Sequence, residues 1–157
     1  MANDEGLALS DHFARGEFEL DGPMPDAIVG IYRTLCVEIL EPIRAHAGSP
    51  IEITSGYRSP QANAAAHGVS TSQHVATPNY CAADFAVAGA DMRALFDWIR
   101  SASGLPFDQV ILEHGAAIDV IHISYSRAYA RREALEGATQ NRTAYTRWPS
   151  VTNPRNA

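Results

Sequence analysis

The feature that most constrains this chain is a change of hydrophobic period part-way along it. From Asp26 to about Ala47, the apolar residues Ile28, Ile31, Leu35, Ile39 and Ile43 recur at helical spacing. Pro42 interrupts that run and predicts a kink or a fresh first turn, and Gly48 with Pro50 ends it. Beyond residue 50 the apolar residues gather into short runs. Residues 51–55, 82–87, 107–112 and 120–125 read as strands, and residues 143–148 as a last edge strand. Only residues 60–66 and 91–101 keep a helical pattern, the latter with Met92, Leu95, Phe96 and Ile99 on one face. Helices first and strands later imply an α+β fold, with N-terminal helices packed on a small antiparallel sheet.

A chain of 157 residues, 46% of them hydrophobic, fits one domain with a real core. The whole of residues 1–157 is therefore expected to be a single domain. The net charge of −6 argues against nucleic acid or an anionic membrane as main partner, since both need clustered Lys and Arg. Arg127, Arg131 and Arg132 form the one dense basic spot, which is too small for that role. No stretch approaches the roughly 20 apolar residues of a membrane span, so no membrane insertion is expected, and a monomer is. The opening Met1-Ala2-Asn3-Asp4-Glu5 is acidic and unlike a signal peptide. Synthesis in a cytoplasm is expected, with another factor needed for any action outside it. Cys36 and Cys81 lack metal-motif spacing, and a reducing compartment disfavours their pairing.

Four polar features stand at strand ends or inside apolar strands. Ser55-Gly56-Tyr57-Arg58-Ser59 puts an arginine after a strand, behind a glycine expected to permit a sharp turn. Ser72-Gln73-His74 follows a Gly/Ser/Thr-rich loop, and Ala82-Ala83-Asp84-Phe85 sets a carboxylate among small and apolar residues. Asp119-Val120-Ile121-His122-Ile123-Ser124 embeds a histidine in a Val/Ile strand. Singly, each has a bland reading as a hydrogen-bonded core or turn residue. Together, two His and one Asp supply the three protein ligands of a catalytic zinc site, leaving a fourth position open.

In this order, and with Asn63 and Phe107-Asp108-Gln109 between them, these motifs resemble the M15 zinc D-Ala-D-Ala carboxypeptidase family, which includes phage endolysins and wall-remodelling enzymes. Leu9-Ser10-Asp11-His12-Phe13, Leu40-Glu41-Pro42-Ile43-Arg44 and Arg131-Arg132-Glu133-Ala134-Leu135 are similar to its phage-type branch. The resemblance spans about residues 9–135, leaving 136–157 as a C-terminal extension. It implies a Zn²⁺ peptidase acting on the peptidoglycan stem peptide, as a carboxypeptidase or an endopeptidase. It further implies His74, Asp84 and His122 as zinc ligands, Arg58 as the substrate-binding and oxyanion-stabilising arginine, and Asp119 as the general base. Ser72 falls beside the first ligand, where it can bond substrate or ligand or be a plain loop hydroxyl. Glu113 is the rival base, and His114 beside it a rival ligand or a residue of the substrate cleft.

Nine residues separate His74 from Asp84, where the family usually has six. The extra residues, within 75–81, are expected to form a surface loop near the cleft, with Pro78 and Asn79 in a turn and Cys81 close to the ligands. The rival reading of the chain is a non-catalytic, zinc-containing wall-binding or virion-structural module of the same fold. A zinc-stabilised signalling domain is a third, against which the cleft residues Arg58 and Asp119 speak. Because Asp119 precedes His122 by three residues, the two share a face only if the strand begins after Asp119.

Overall fold

The long N-terminal apolar stripe folds as one interrupted helical rod in the computed structural model, which describes residues 7–138 and 144–149. A 3₁₀ turn at Asp26–Ile28 leads into α1 (Val29–Leu35), a π-helical turn (Cys36–Leu40) and α2 (Glu41–Ala47). The π turn lies just before Pro42. Proline removes one helical N–H and crowds the carbonyl four residues back, and widening the preceding turn relieves both. Gly48 ends the rod in the left-handed conformation, at φ 68°. The segment around Leu9 and Phe13 is folded against this rod. Both side chains are buried, and Glu41 accepts from the Ser10 hydroxyl and the His12 backbone N–H.

Six strands follow: β1 (Glu52–Ser55), β2 (Tyr80–Ala86), β3 (Gln109–His114), β4 (Asp119–Ser126), β5 (Glu133–Ala138) and β6 (Thr146–Trp148). Their spatial order is β1-β2-β4-β3-β5-β6. Two further α-helices are α3 (Pro60–Ala65) and α4 (Met92–Ser101), and a 3₁₀ helix spans Arg15–Phe18. This is an α+β domain, and the sheet is antiparallel except where β5 runs parallel to β3. β5 is a strand that the sequence reading leaves out.

The parallel pair has a simple cause. β4 ends beside the start of β3, so residues 127–132 need only hop over β3, about 10 Å at the usual strand spacing, to begin β5 there. Asp108, immediately before β3, ties the hop down. Its carbonyl accepts from Glu133 N–H at 3.0 Å and its carboxylate from Arg131 N–H at 3.1 Å. Arg132 makes the final bend in the left-handed region, at φ 54°.

One face of the sheet packs on helices. Cys81, Ala83, Phe85, Val110, Leu112, Ile121 and Ile123 join Ile31, Leu35, Leu95, Phe96 and Ile99 in one buried cluster. Tyr32 is fully buried there, its hydroxyl donating to the Ala82 carbonyl at 2.8 Å. The other face carries the polar residues of alternating parity. Residues 77–80 make the turn that Pro78 and Asn79 predict, but Tyr80 and Cys81 are already strand, paired with Ser126 and Tyr125. The expected loop is thus shorter than residues 75–81. Cys81 is buried on the helix side, its Sγ 3.6 Å from the Ile31 carbonyl, and burial holds the thiol protonated by pushing its pKa well up. It is not beside the ligands, because it lies at opposite parity to Asp84. No helix among the described residues is long and apolar enough to cross a membrane.

Candidate metal centre and cleft

A single row of residues crosses the polar face of the sheet. Asp84 on β2 pairs with His122 on β4, His122 with Ile111 on β3, and Ile111 with Leu135 on β5. Same-face neighbours in a sheet touch, so the row places two of the three expected ligands side by side. The third, His74, comes from the loop before β2 rather than from a strand. His74 Nε2 lies 3.1 Å from Asp84 Oδ1 and 3.2 Å from His122 Nδ1, and His122 Nδ1 lies 2.9 Å from the same oxygen. These three side chains can hold a metal ion.

Backbone contacts prepare them for one. His74 Nδ1 is 2.7 Å from the Gly56 carbonyl, which can only accept, so Nδ1 carries a hydrogen and, in the neutral imidazole that binds a metal, the Nε2 lone pair faces the centre. Burial alone would push the Asp84 carboxyl up, but charge and hydrogen bonds from His74 and His122 hold it well below its usual range. Burial likewise opposes charge on His74, and Asp84 outweighs it and raises the imidazole. Lone-pair atoms this close need a proton or a cation between them. Donor atoms about 2.0–2.1 Å from a tetrahedral zinc lie roughly 3.3 Å apart, close to the distances here. The donor set fits Zn²⁺.

Gly56 serves this site through close approach and not through an unusual φ. A Cβ there would lie 2.5 Å from the Phe18 carbonyl oxygen and 2.6 Å from Phe18 Cα. Gly56→Ala must therefore displace the segment whose carbonyl orients His74. We expect a loss of about 1–3 kcal/mol in denaturant unfolding, with zinc affinity falling in titrations. Unchanged zinc affinity would show that the Gly56 contact is dispensable.

The triad lies in a cleft of about 720 Å³, lined also by Arg58, Ser72 and Glu113. The profile of the family described as Peptidase M15 matches residues 11–124, well over half of the chain. The chain belongs to the Peptidase M15 family. Comparison with curated proteins finds no match. Membership makes the domain a metallopeptidase acting on a peptide, and the His-Asp-His cluster is a group that could hold its metal.

Around that centre the M15 domain arranges the other expected residues unequally. Arg58 stands on the β1 side, its Nη2 3.8 Å from Asp84 Oδ2 and its Nε bonded to Ser55 Oγ at 3.1 Å. Ser72 lines the cleft and its hydroxyl accepts from His74 N–H at 3.3 Å, which steadies the ligand's loop. Glu113 is buried in the cleft wall, paired with Val120, one diagonal step from His122. Tyr145 Oη lies 3.4 Å from its carboxylate.

Asp119 and His114 are not brought to the cleft. β4 begins at Asp119, so no turn curls over the metal, and the odd offset from His122 sends Asp119 to the helix side. There it pairs with His114, whose Nδ1 lies 3.1 Å from Asp119 and whose Nε2 lies 2.8 Å from Glu136. Hydrogen bonds donated to Glu136 and then to Asp119 raise the pKa of that imidazole. Gln73, Tyr129, Arg131 and Tyr145 line the cleft without having been expected there. Of these, Gln73 belongs to the Ser72-Gln73-His74 motif and Arg131 to the basic spot, whereas Tyr129 and Tyr145 left no trace of a cleft role in the sequence.

Proposed function

We propose that the protein is a zinc peptidase that hydrolyses peptide bonds in the stem peptides of bacterial peptidoglycan, as a D,D-carboxypeptidase or an endopeptidase. The observation that carries this reading is one cleft holding a three-ligand centre with a carboxylate on one side and an arginine on the other. Zn²⁺ held by His74, Asp84 and His122 supplies Lewis-acid polarisation of a carbonyl and a lowered pKa for water. Glu113 is the general base. Diagonal same-face neighbours on paired strands have Cα atoms roughly 7–8 Å apart, which leaves room for water and a carbonyl carbon between Glu113 and His122. Its carboxylate takes the proton of the attacking water and returns it to the leaving amine.

Arg58 either grips a substrate carboxylate through its planar fork or faces the developing oxyanion. Both jobs use donors held by Ser55 and Asp84 near the metal. A non-catalytic module would need neither Glu113 nor Arg58 in the cleft. The test is mass spectrometry of muropeptides from purified peptidoglycan after digestion with the zinc-loaded protein. Released D-Ala or shortened stems, abolished by chelator and restored by zinc, are expected. Unchanged muropeptides would favour the non-catalytic reading.

A further inference from the structure

At the Gln109 end of the cleft an arginine is held by a buried carboxylate, away from the metal ligands. Asp108 is fully buried and its two oxygens accept four hydrogen bonds. Oδ1 takes Arg131 N–H at 3.1 Å and Arg131 Nε at 2.9 Å, and Oδ2 takes Arg131 Nη2 and Gln73 Nε2, both at 2.8 Å. Gln73 and the Arg131 backbone thus supply two of those donors. The guanidinium is fixed edge-on, yet its side chain remains 48% exposed and lines the cleft. Asp108 uses two of the five guanidinium N–H groups. The remaining edge has no acceptor among the described residues.

We propose that Arg131 is a specificity-determining residue that binds a carboxylate of the substrate, at a position about two residues from the scissile bond. The inference rests on the peptidase reading of this cleft and adds the chemical class of one subsite. Gln109 lies two residues along β3 from Ile111, the partner of His122, which is about 7 Å at the usual strand rise. That span matches two residues of an extended peptide. A planar fork with its inner edge locked on Asp108 presents its outer edge to a carboxylate, and locking it beforehand removes the ordering cost from binding. Arg58 cannot serve this end of the cleft, being committed to Ser55 and Asp84 on the β1 side. Tyr129 also lines the cleft.

The test uses equilibrium binding, so that turnover does not enter. Zinc-loaded Glu113→Gln protein is titrated with a matched pair of stem peptides, one with free carboxylates on its internal residues and one with those groups amidated. The carboxylate peptide is expected to bind about ten- to a hundredfold more tightly, the range of a charge-assisted hydrogen-bonded pair. Adding Arg131→Gln should abolish that preference while leaving the affinity for the amidated peptide nearly unchanged. Arg131→Lys, which keeps a cation for Asp108 and so guards against misfolding, should retain only part of it. Equal loss for both peptides, or no preference to begin with, would overturn the proposal and leave Arg131 as a brace for Asp108. Failure of the peptidase reading gives a different result: both peptides are distinguished in binding but the wild-type protein cuts neither.

Discussion

Changing Glu113 to Gln is expected to lower turnover of stem peptides about a hundredfold or more, the usual scale for a general base, while the protein keeps one equivalent of zinc. The amide is nearly isosteric and retains a partner for the Tyr145 hydroxyl, so the wall should stand. Two controls sharpen the result. His122→Ala removes a ligand from the centre of the cross-sheet row and should abolish zinc binding and its stabilisation of the fold together. Asp119→Asn should cost little activity, because Asp119 bonds His114 on the far face of the sheet. Metal analysis, thermal melts with and without zinc, and muropeptide assays on the three proteins make the comparison. If Asp119→Asn were the more damaging of the two carboxylate changes, β4 would have to begin later in the working enzyme than at Asp119, and Glu113 would lose its role.

Much of this site is legible in the residues because polar side chains in apolar strands are conspicuous. His122 stands among Val and Ile, and Asp84 among Ala and Phe, and the sheet pairs those two directly. The choice between Asp119 and Glu113 is a question of face, and spacing alone settles it only when the start of the strand is known. The three-residue offset places Asp119 beside His122 if a turn intervenes and opposite it if the strand is continuous. The strand is continuous. Missing β5 has another cause: Glu133-Ala134-Leu135-Glu136-Gly137-Ala138 is made mostly of residues with helical preference and lacks alternation. It is a strand because β3 offers it an open edge at the end of the hop. Tyr145 is equally invisible. It reaches the cleft by packing over Gly137, where a Cβ would lie 2.1 Å from the Tyr145 ring.

Asp108→Asn is expected to destabilise the metal-free protein by about 2–4 kcal/mol at neutral pH, somewhat below the range for breaking a fully buried ion pair because Arg131 is half exposed. The carboxylate meets four donors, and an amide can offer its oxygen to only one side of that set. Its NH₂ would then face Arg131 donors in either orientation, the backbone N–H and Nε at the Oδ1 position or Nη2 at the Oδ2 position. Of the groups around it only the Gln73 amide can turn its oxygen around to accept. The pH dependence carries the signature. Burial would raise the Asp108 carboxyl, but hydrogen bonds from Arg131 and Gln73 and the guanidinium charge bring it below its ordinary value of 3.8. A depressed carboxyl stabilises the fold fully above the unfolded-state value and progressively less as pH falls through the folded-state one. The gap between wild type and Asp108→Asn should therefore be full near pH 7 and narrow below about pH 4. Denaturant unfolding of both proteins in chelator, at neutral and acid pH, measures it without metal ligation. Because Asp108 also grips Gln73, next to His74, zinc affinity should fall with stability. A gap that stayed constant with pH would mean that the amide disrupts packing alone and that the carboxylate's charge does not hold the hop in place.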